Sequence, residues 1–426
     1  MLTAVAVRGY RSLRDVVLPL GALTVVTGPN GSGKSNLYRA LHLLAATARE
    51  GAPAALAREG GLASALWAGP EQGGGGEGTV RRRPVRVELG VTGDDTGYAL
   101  TLGLPQVAPE PPSPFARDPE IKAETVWAGP LARPASVLTE RRGPHVRTRT
   151  DDGWATLTTA ARPHESMLDV VADPNRSPEL VTLREELRSW RLYDHLRTDP
   201  GAPARQPRPG SRTSALAADG ADLAAALASA ADMGADRELT AALEDAFPGS
   251  RLRISAHEGV FEVLLHQPGL LRPLHAAELS DGTLRFLMVA AALLTPRPPQ
   301  LIVLNEPEQS MHPSVLPALA RMTVRAARRT QVVMVTHSTA LSEAVAAAAA
   351  DTAGSAGTTR TAGTAGTTGA TPTTGATRVT GGGGATTAAG EDDAGRVVAV
   401  ELAKEAGETV VVGQEGPLDR PAWHWP

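Results

Sequence analysis

Cysteine is absent from the 426 residues. That excludes a disulfide framework, a thiolate metal site and a cysteine nucleophile. No apolar run reaches the roughly 18 residues that a membrane-spanning helix needs, so no membrane partner is expected. The opening, Met1-Leu2-Thr3-Ala4-Val5-Ala6-Val7-Arg8, has no basic stretch followed by an apolar core. It does not read as a leader, and a cytoplasmic protein is expected. Basic charge is not in excess either: 42 Lys and Arg against 46 Asp and Glu leave a net charge of −4. Any contact with nucleic acid must then come from local patches. Sustained heptads with apolar a and d positions are missing, which excludes a long coiled-coil arm. The length suits about two or three units of ordinary domain size.

Against these absences stands Gly28-Pro29-Asn30-Gly31-Ser32-Gly33-Lys34-Ser35, which fits the phosphate-cradling pattern G-x-x-x-x-G-K-[ST]. Its flanks suit the pattern. Leu23-Thr24-Val25-Val26-Thr27 reads as a buried strand, and the stretch from Asn36 carries apolar residues at helical spacing. Glycine lets the backbone take positive φ and approach an anion closely. Successive N–H groups then form a nest at the positive end of a helix. Lys34 supplies a point charge for the β- and γ-phosphates, and Ser35 offers a hydroxyl to Mg²⁺. Residues Gly28 to Asn36 are the expected nucleotide-binding set, with ATP and Mg²⁺ as cofactors.

The chain divides by composition. Residues 1–104 read as an N-terminal lobe holding the P-loop, with a hairpin around Asp94-Asp95-Thr96-Gly97. Residues 105–250 read as a mixed, mostly helical insertion. Residues 251–345 return to strand and helix patterns as a C-terminal lobe. Residues 346–395 are nearly all Ala, Thr and Gly, and are expected to be a disordered linker. Residues 396–426 read as a final hairpin and a tail ending Trp423-His424-Trp425-Pro426, whose tryptophans suggest that it docks.

Three further stretches carry chemistry. Leu301 to Leu304 is an apolar strand tipped by Asn305-Glu306-Pro307-Glu308. In P-loop enzymes an acid at the strand tip helps hold the Mg²⁺ shell. Asn305 stands there instead; its carbonyl can reach the metal through a water, without the charge. Glu306 is placed to polarise the attacking water. Gln331 to Thr336 is a second buried strand, ended by His337, a candidate for the γ-phosphate. Glu278-Leu279-Ser280-Asp281-Gly282-Thr283 precedes a strong helix, with Ser280 as its cap-type residue.

Taken in order, these motifs resemble those of the ABC-type ATPases. Leu279-Ser280-Asp281-Gly282-Thr283 is similar to the family's signature, Asn305-Glu306-Pro307 to Walker B with its catalytic glutamate, Ser310-Met311-His312-Pro313 to the D-loop, and His337 to the switch histidine. Gln72 is a weaker match to the Q-loop glutamine, another metal contact. Arg8-Gly9-Tyr10-Arg11-Ser12 before the P-loop resembles RecF and SMC heads. The Asn305 run, Arg197-Thr198-Asp199 and the Trp-rich ending resemble RecF-like predicted ATPases of the AAA_21 type. The resemblance implies an α/β P-loop ATPase head with a mixed parallel sheet and an antiparallel β subdomain. It implies ATP held between the P-loop of one head and the signature of another, hence an ATP-dependent homodimer.

The leading expectation is an ATPase acting on DNA in repair or recombination, with Arg81, Arg82, Arg83, Arg141, Arg142, Arg147 and Arg149 as candidate phosphate contacts. The alternative is the ATPase sensor of an antiphage system. It would work with a separate nuclease, because the residues after the linker are too few for a nuclease module. A transporter subunit is the third reading; Asp281 and Thr283 depart from the transporter signature.

Overall fold

Short β-branched runs and glycine turns build three sheets, and an Ala- and Leu-rich helical layer fills the space beside them. The computed structural model describes residues 1–67, 69, 86–105, 114–360, 397–416 and 418–426. Strand β1 (Leu2–Tyr10) folds back on β2 (Leu13–Pro19), and β3 (Leu23–Thr27) leads through the P-loop into α1 (Lys34–Thr47). Two short helices, α2 (Ala52–Arg58) and α3 (Leu62–Ala65), follow. An antiparallel meander comes next: β4 (Arg86–Gly93), β5 (Thr96–Gly103), β6 (Glu120–Ala128), β7 (Val137–Arg142), β8 (His145–Thr150) and β9 (Gly153–Thr158). With β1 and β2 they form an eight-stranded sheet in the order β2-β1-β4-β5-β6-β7-β8-β9.

After α4 (Met167–Val170) and α5 (Pro178–Ser189), the three-residue strand β10 (Arg191–Tyr193) begins the nucleotide-type sheet. The segment β11 (Arg208–Pro209), α6 (Leu223–Ala230), α7 (Asp236–Ala246), β12 (Arg251–His257), β13 (Val260–His266) and β14 (Leu274–His275) makes a small antiparallel sheet with its own helices. Then come α8 (Asp281–Leu293), β15 (Leu301–Asn305), α9 (Leu316–Ala326), β16 (Gln331–Val335), α10 (Thr339–Arg360), β17 (Val397–Glu405) and β18 (Glu408–Val411). The second sheet runs β10-β15-β16-β3-β17-β18, parallel throughout except for the last pair. This is the α/β P-loop head with mixed and antiparallel sheets that the motifs implied. Its strands β3, β15 and β16 are buried on both faces, which explains their unbroken Val/Ile/Leu character.

Two expectations need correction. The stretch 105–250, expected to be mixed and mostly helical, is mixed but divides in two. Its first part is β6 to β9, which lengthen the N-terminal sheet, and helices dominate only after Met167. The alternation that marks these strands is diluted because Thr139, Arg141 and Thr148 occupy buried positions. The Ala-rich stretch from residue 346 is not a linker from its start, because α10 continues through Arg360. Alanine is the strongest helix former, and Leu341, Val345 and Ala348 are buried along the helix. The rest of the expected linker lies outside the described residues.

Arg141 also differs from expectation. Proposed from sequence as a phosphate contact, its side chain is wholly buried beside Glu124, 3.1 Å away. Its guanidinium also donates to Gly143 O (2.8 Å), Arg162 O (2.8 Å) and Glu165 O, while Glu124 accepts from Tyr98 Oη (2.8 Å) and Met167 N (2.8 Å). Removing one partner of such a pair strands the other charge in a dry interior. Glu124→Ala is therefore expected to lower unfolding free energy by about 3–5 kcal/mol, read from urea denaturation.

The tail docks on the outer face of the large sheet. Trp423 meets Trp127 edge-on at 5.7 Å and Trp425 at 5.2 Å, and Arg8 lies over the Trp425 ring at 5.0 Å. Glycine makes room for this. A Cβ on Gly90 would fall 2.4 Å from the Trp423 ring.

Candidate nucleotide site

The parallel strands bring their C-terminal ends to one rim, where ligands of open α/β sheets bind. The registers Tyr193–Leu304, Asn305–Val335 and Val335–Val26 set the residues that follow β10, β15, β16 and β3 side by side. The P-loop, Asn305-Glu306 and His337 therefore meet although up to 300 residues of sequence separate them, because parallel pairing needs long crossovers.

Within the P-loop, Gly28, Gly31 and Gly33 all have positive φ (146°, 82° and 108°). Gly33 caps α1 without a side-chain bond, so the first-turn N–H groups of that helix face no competing side-chain oxygen. Lys34 Nζ donates to Gly28 O (2.7 Å) and Pro29 O (3.0 Å), curling over the loop. Burial pushes the Lys34 ammonium below the ordinary lysine value, against the opposing pull of Glu306 and Glu308. Ser32 Oγ is buried and finds no hydrogen-bond partner among the described residues. Ser35 is exposed at the loop's mouth, as are Asn30 and Gly31. Asn36 turns elsewhere, its Nδ2 donating to Ser12 Oγ at 2.8 Å.

The loop is braced from the far end of the chain. Strand β17 pairs in parallel with β3, and Thr409 of β18 donates from Oγ1 to Ser32 O (2.8 Å) and lies 2.7 Å from Ser12 Oγ. A Cβ on Gly33 would meet Thr409 Oγ1 at 2.0 Å, and one on Gly28 would meet Leu402 O at 2.2 Å. These glycines are required for close approach as well as for φ. Thr409→Val keeps the shape but leaves Ser32 O unpaired. It is expected to weaken binding of a fluorescent ATP analogue about fivefold, on the order of 1 kcal/mol.

Glu306 has φ 48°, an uncommon conformation for a non-glycine residue, fixed by its N–H donating to Val335 O at 2.8 Å. Such strained positions cluster at functional sites. His337 Nδ1 lies 3.4 Å from Glu306 Oε1 and 3.8 Å from Glu308 Oε1. Glu308 is buried, accepts from Thr336 Oγ1 at 2.5 Å, and its Oε2 finds no partner among the described residues. Ser310 also has positive φ (64°), and its carbonyl packs on Gly282: a Cβ there would lie 2.5 Å from it. The D-loop and signature of one chain thus touch.

In the signature, Leu279 and Thr283 are buried whereas Ser280 and Asp281 are exposed. Ser280 Oγ accepts from Thr283 N at 3.1 Å and starts α8. Arg205 holds this turn from the insertion. Its Nη1 donates to Ala276 O (3.2 Å), Ala277 O (3.1 Å) and Leu279 O (2.7 Å), and its Nη2 to Asp281 Oδ1 (2.6 Å). Arg285 of α8 donates to Gln309 Oε1 (2.9 Å), linking the signature helix to the D-loop.

Sequence reading missed Asp194, Arg205, Arg285 and Thr409. All four are recognised only by what they touch. Gln72, Arg81, Arg82 and Arg83 lie outside the described residues. Arg142, Arg147 and Arg149 are exposed, the last two stacked over Trp154 at 4.5 and 5.2 Å. Among the described residues no group of three or more His, Asp or Glu gathers as a metal cluster, and no helix is long and apolar enough to cross a membrane.

A family model described as "AAA domain, putative AbiEii toxin, Type IV TA system" (AAA_21) matches residues 23–94 and 169–343, more than half of the chain. The OLD nuclease of Thermus scotoductus is 48% identical over 44 residues, 10% of this chain and 8% of that protein. The chain thus matches under a tenth of that relative's length. Among solved structures, an SMC head bound to the C-terminal winged-helix domain of ScpA is similar at TM-score 0.48 and 12% identity, over 96% of this chain and 97% of that one. The SMC head domain from Thermotoga maritima is similar at TM-score 0.44 and 12% identity, over 96% and 98%.

Proposed function

We propose, because the chain belongs to the AAA_21 family, that this P-loop ATPase-type protein binds and hydrolyses ATP, pairs with a second copy around the nucleotide, and acts on DNA in repair or recombination. The observation that carries this reading is the meeting of Lys34, Glu306 and His337 on one sheet rim, beside a glycine nest.

The residues suit the chemistry. The N–H groups of Gly31 to Ser35 and the Lys34 ammonium bind the β- and γ-phosphates. A water attacks the γ-phosphorus, the bond to the β,γ-bridging oxygen breaks, and Glu306 takes the water's proton. His337, beside Glu306, holds the γ-phosphate oxygens and orients that carboxylate. Mg²⁺ fits this donor set. The donors that the P-loop and the β15 tip offer are oxygens (Ser35 hydroxyl, Asn305 carbonyl), and Mg²⁺ binds through few protein oxygens plus phosphates and waters. When bound it would neutralise phosphate charge.

Pairing is supported by the exposure of Ser280 and Asp281, which puts the start of α8 at the surface, within reach of another copy. Action on DNA is supported by exposed Arg142, Arg147 and Arg149. The 44-residue likeness to OLD nuclease favours a second reading, an antiphage ATPase that works with a separate nuclease. Sedimentation of Glu306→Gln separates them. A shift from monomer to dimer on adding ATP, with a short duplex retained, is the expected result. A dimer that ignores DNA favours the defence reading. No ATP-dependent dimer overturns the pairing.

A further inference from the structure

We propose that Asp194 supplies the carboxylate that the Walker B strand omits. Acid and amide of the magnesium shell then stand on neighbouring strands, Asp194 after β10 and Asn305 ending β15. This rests on the reading of the P-loop as a nucleotide site and deepens it.

The placement comes from strand register. Tyr193 pairs with Leu304, so the next residues, Asp194 and Asn305, are side by side at the rim. Asn305 Nδ2 donates to Asp194 Oδ1 at 2.5 Å. A carboxylate can only accept, so this bond fixes which way the amide points. The Asn305 carbonyl is turned away from Asp194 and stays available as a neutral acceptor. Asp194 does double duty: it orients Asn305 and brings the negative charge that Asn305 lacks.

Among the described residues the ion-pair neighbour of Asp194 is the exposed ring of His195, 3.4 Å from Oδ2. The Asp194 side chain is 28% exposed, enough to reach a ligand without moving the strand. Its field is felt on both sides of the rim. It adds to the burial that raises the Tyr38 hydroxyl on α1, and it opposes the burial that lowers Arg285 on α8. Oxygen donors of this kind, without thiolate or clustered imidazole, suit a hard divalent cation.

The alternative is that Asp194 merely ties β10 to β15. Two variants tell these apart: Asp194→Asn, which keeps shape and hydrogen bonding, and the exchanged pair Asp194→Asn/Asn305→Asp, which returns the charge to the neighbouring strand. Mn²⁺ binding is followed by electron paramagnetic resonance with a non-hydrolysable ATP analogue present, and analogue binding is measured separately in EDTA. The expected result is unchanged analogue affinity in EDTA for both variants, Mn²⁺ affinity lowered roughly 10–100-fold in Asp194→Asn, and recovery in the exchanged pair. Unchanged Mn²⁺ affinity in Asp194→Asn overturns the proposal. So does a loss that the exchanged pair fails to restore while both variants melt like the parent. If the parent chain binds no analogue with or without metal, the P-loop reading itself fails, and that outcome is visible before any variant is compared.

Discussion

Lys34→Ala is expected to abolish measurable ATP binding. Lys34 as a whole residue is only 6% exposed, and its ammonium is held over the loop by two carbonyls. Burial already disfavours its charge, so this lysine gains more than a surface one when a triphosphate arrives. Hydrogen bonds to charged groups contribute roughly 1.5–3 kcal/mol each. Losing one to each of two phosphates costs about 3–6 kcal/mol, roughly two to four decades in affinity. Titration calorimetry with ATP checks this, and unchanged affinity in a folded variant would remove the P-loop from the account. Thermal melting should differ little between the two proteins without nucleotide. The lysine's present partners are Gly28 O and Pro29 O at the loop's mouth, where water can replace the ammonium.

Glu306→Gln should separate binding from turnover. Glutamine keeps the volume and one acceptor oxygen but cannot take a proton from water. A positioned general base contributes about 10²–10⁴ in rate. Phosphate release under saturating ATP is expected to fall by that factor while ATP affinity stays near the parent's. A variant that hydrolyses ATP at the parent rate would show that another group, with buried Glu308 next in line, takes the proton. Glu308 is 3.8 Å from the same His337 nitrogen, so the His337 contact does not by itself choose between the two carboxylates.

Much of the rim was legible in the sequence because each part is local. A P-loop is eight consecutive residues, and the strands Leu23–Thr27, Leu301–Asn305 and Gln331–Val335 are apolar runs bounded by polar tips. The cap at Ser280 is a one-turn pattern, and α8 begins where it says. Illegible parts depend on pairing between distant segments. Asp194 follows a strand of three residues, too short for periodicity, and acquires meaning only beside β15, more than a hundred residues later. Arg141 reads in sequence as a phosphate contact because its neighbours along the chain do not announce Glu124 and three carbonyls as its partners. Thr409 sits in an ordinary hairpin, and its hold on Ser32 spans 377 positions. In the Ala-rich stretch, low apolar content argues for disorder, but the helix propensity of alanine carries α10 past residue 346.

Strand β17 beside the P-loop strand has a consequence for how the chain is made. The ribosome releases the P-loop early, but the strand that flanks β3 and the threonine that fastens Ser32 emerge only near residue 409. Until then β3 is an edge strand with an exposed row of backbone N–H and C=O groups, and its glycine loop lacks lateral support. Domains that depend on such distant pairings fold slowly and late. Nascent chains should therefore pass most of their synthesis without a finished nucleotide cradle. ATP, which stabilises only the folded form, can act as a folding ligand after β18 has closed over the loop.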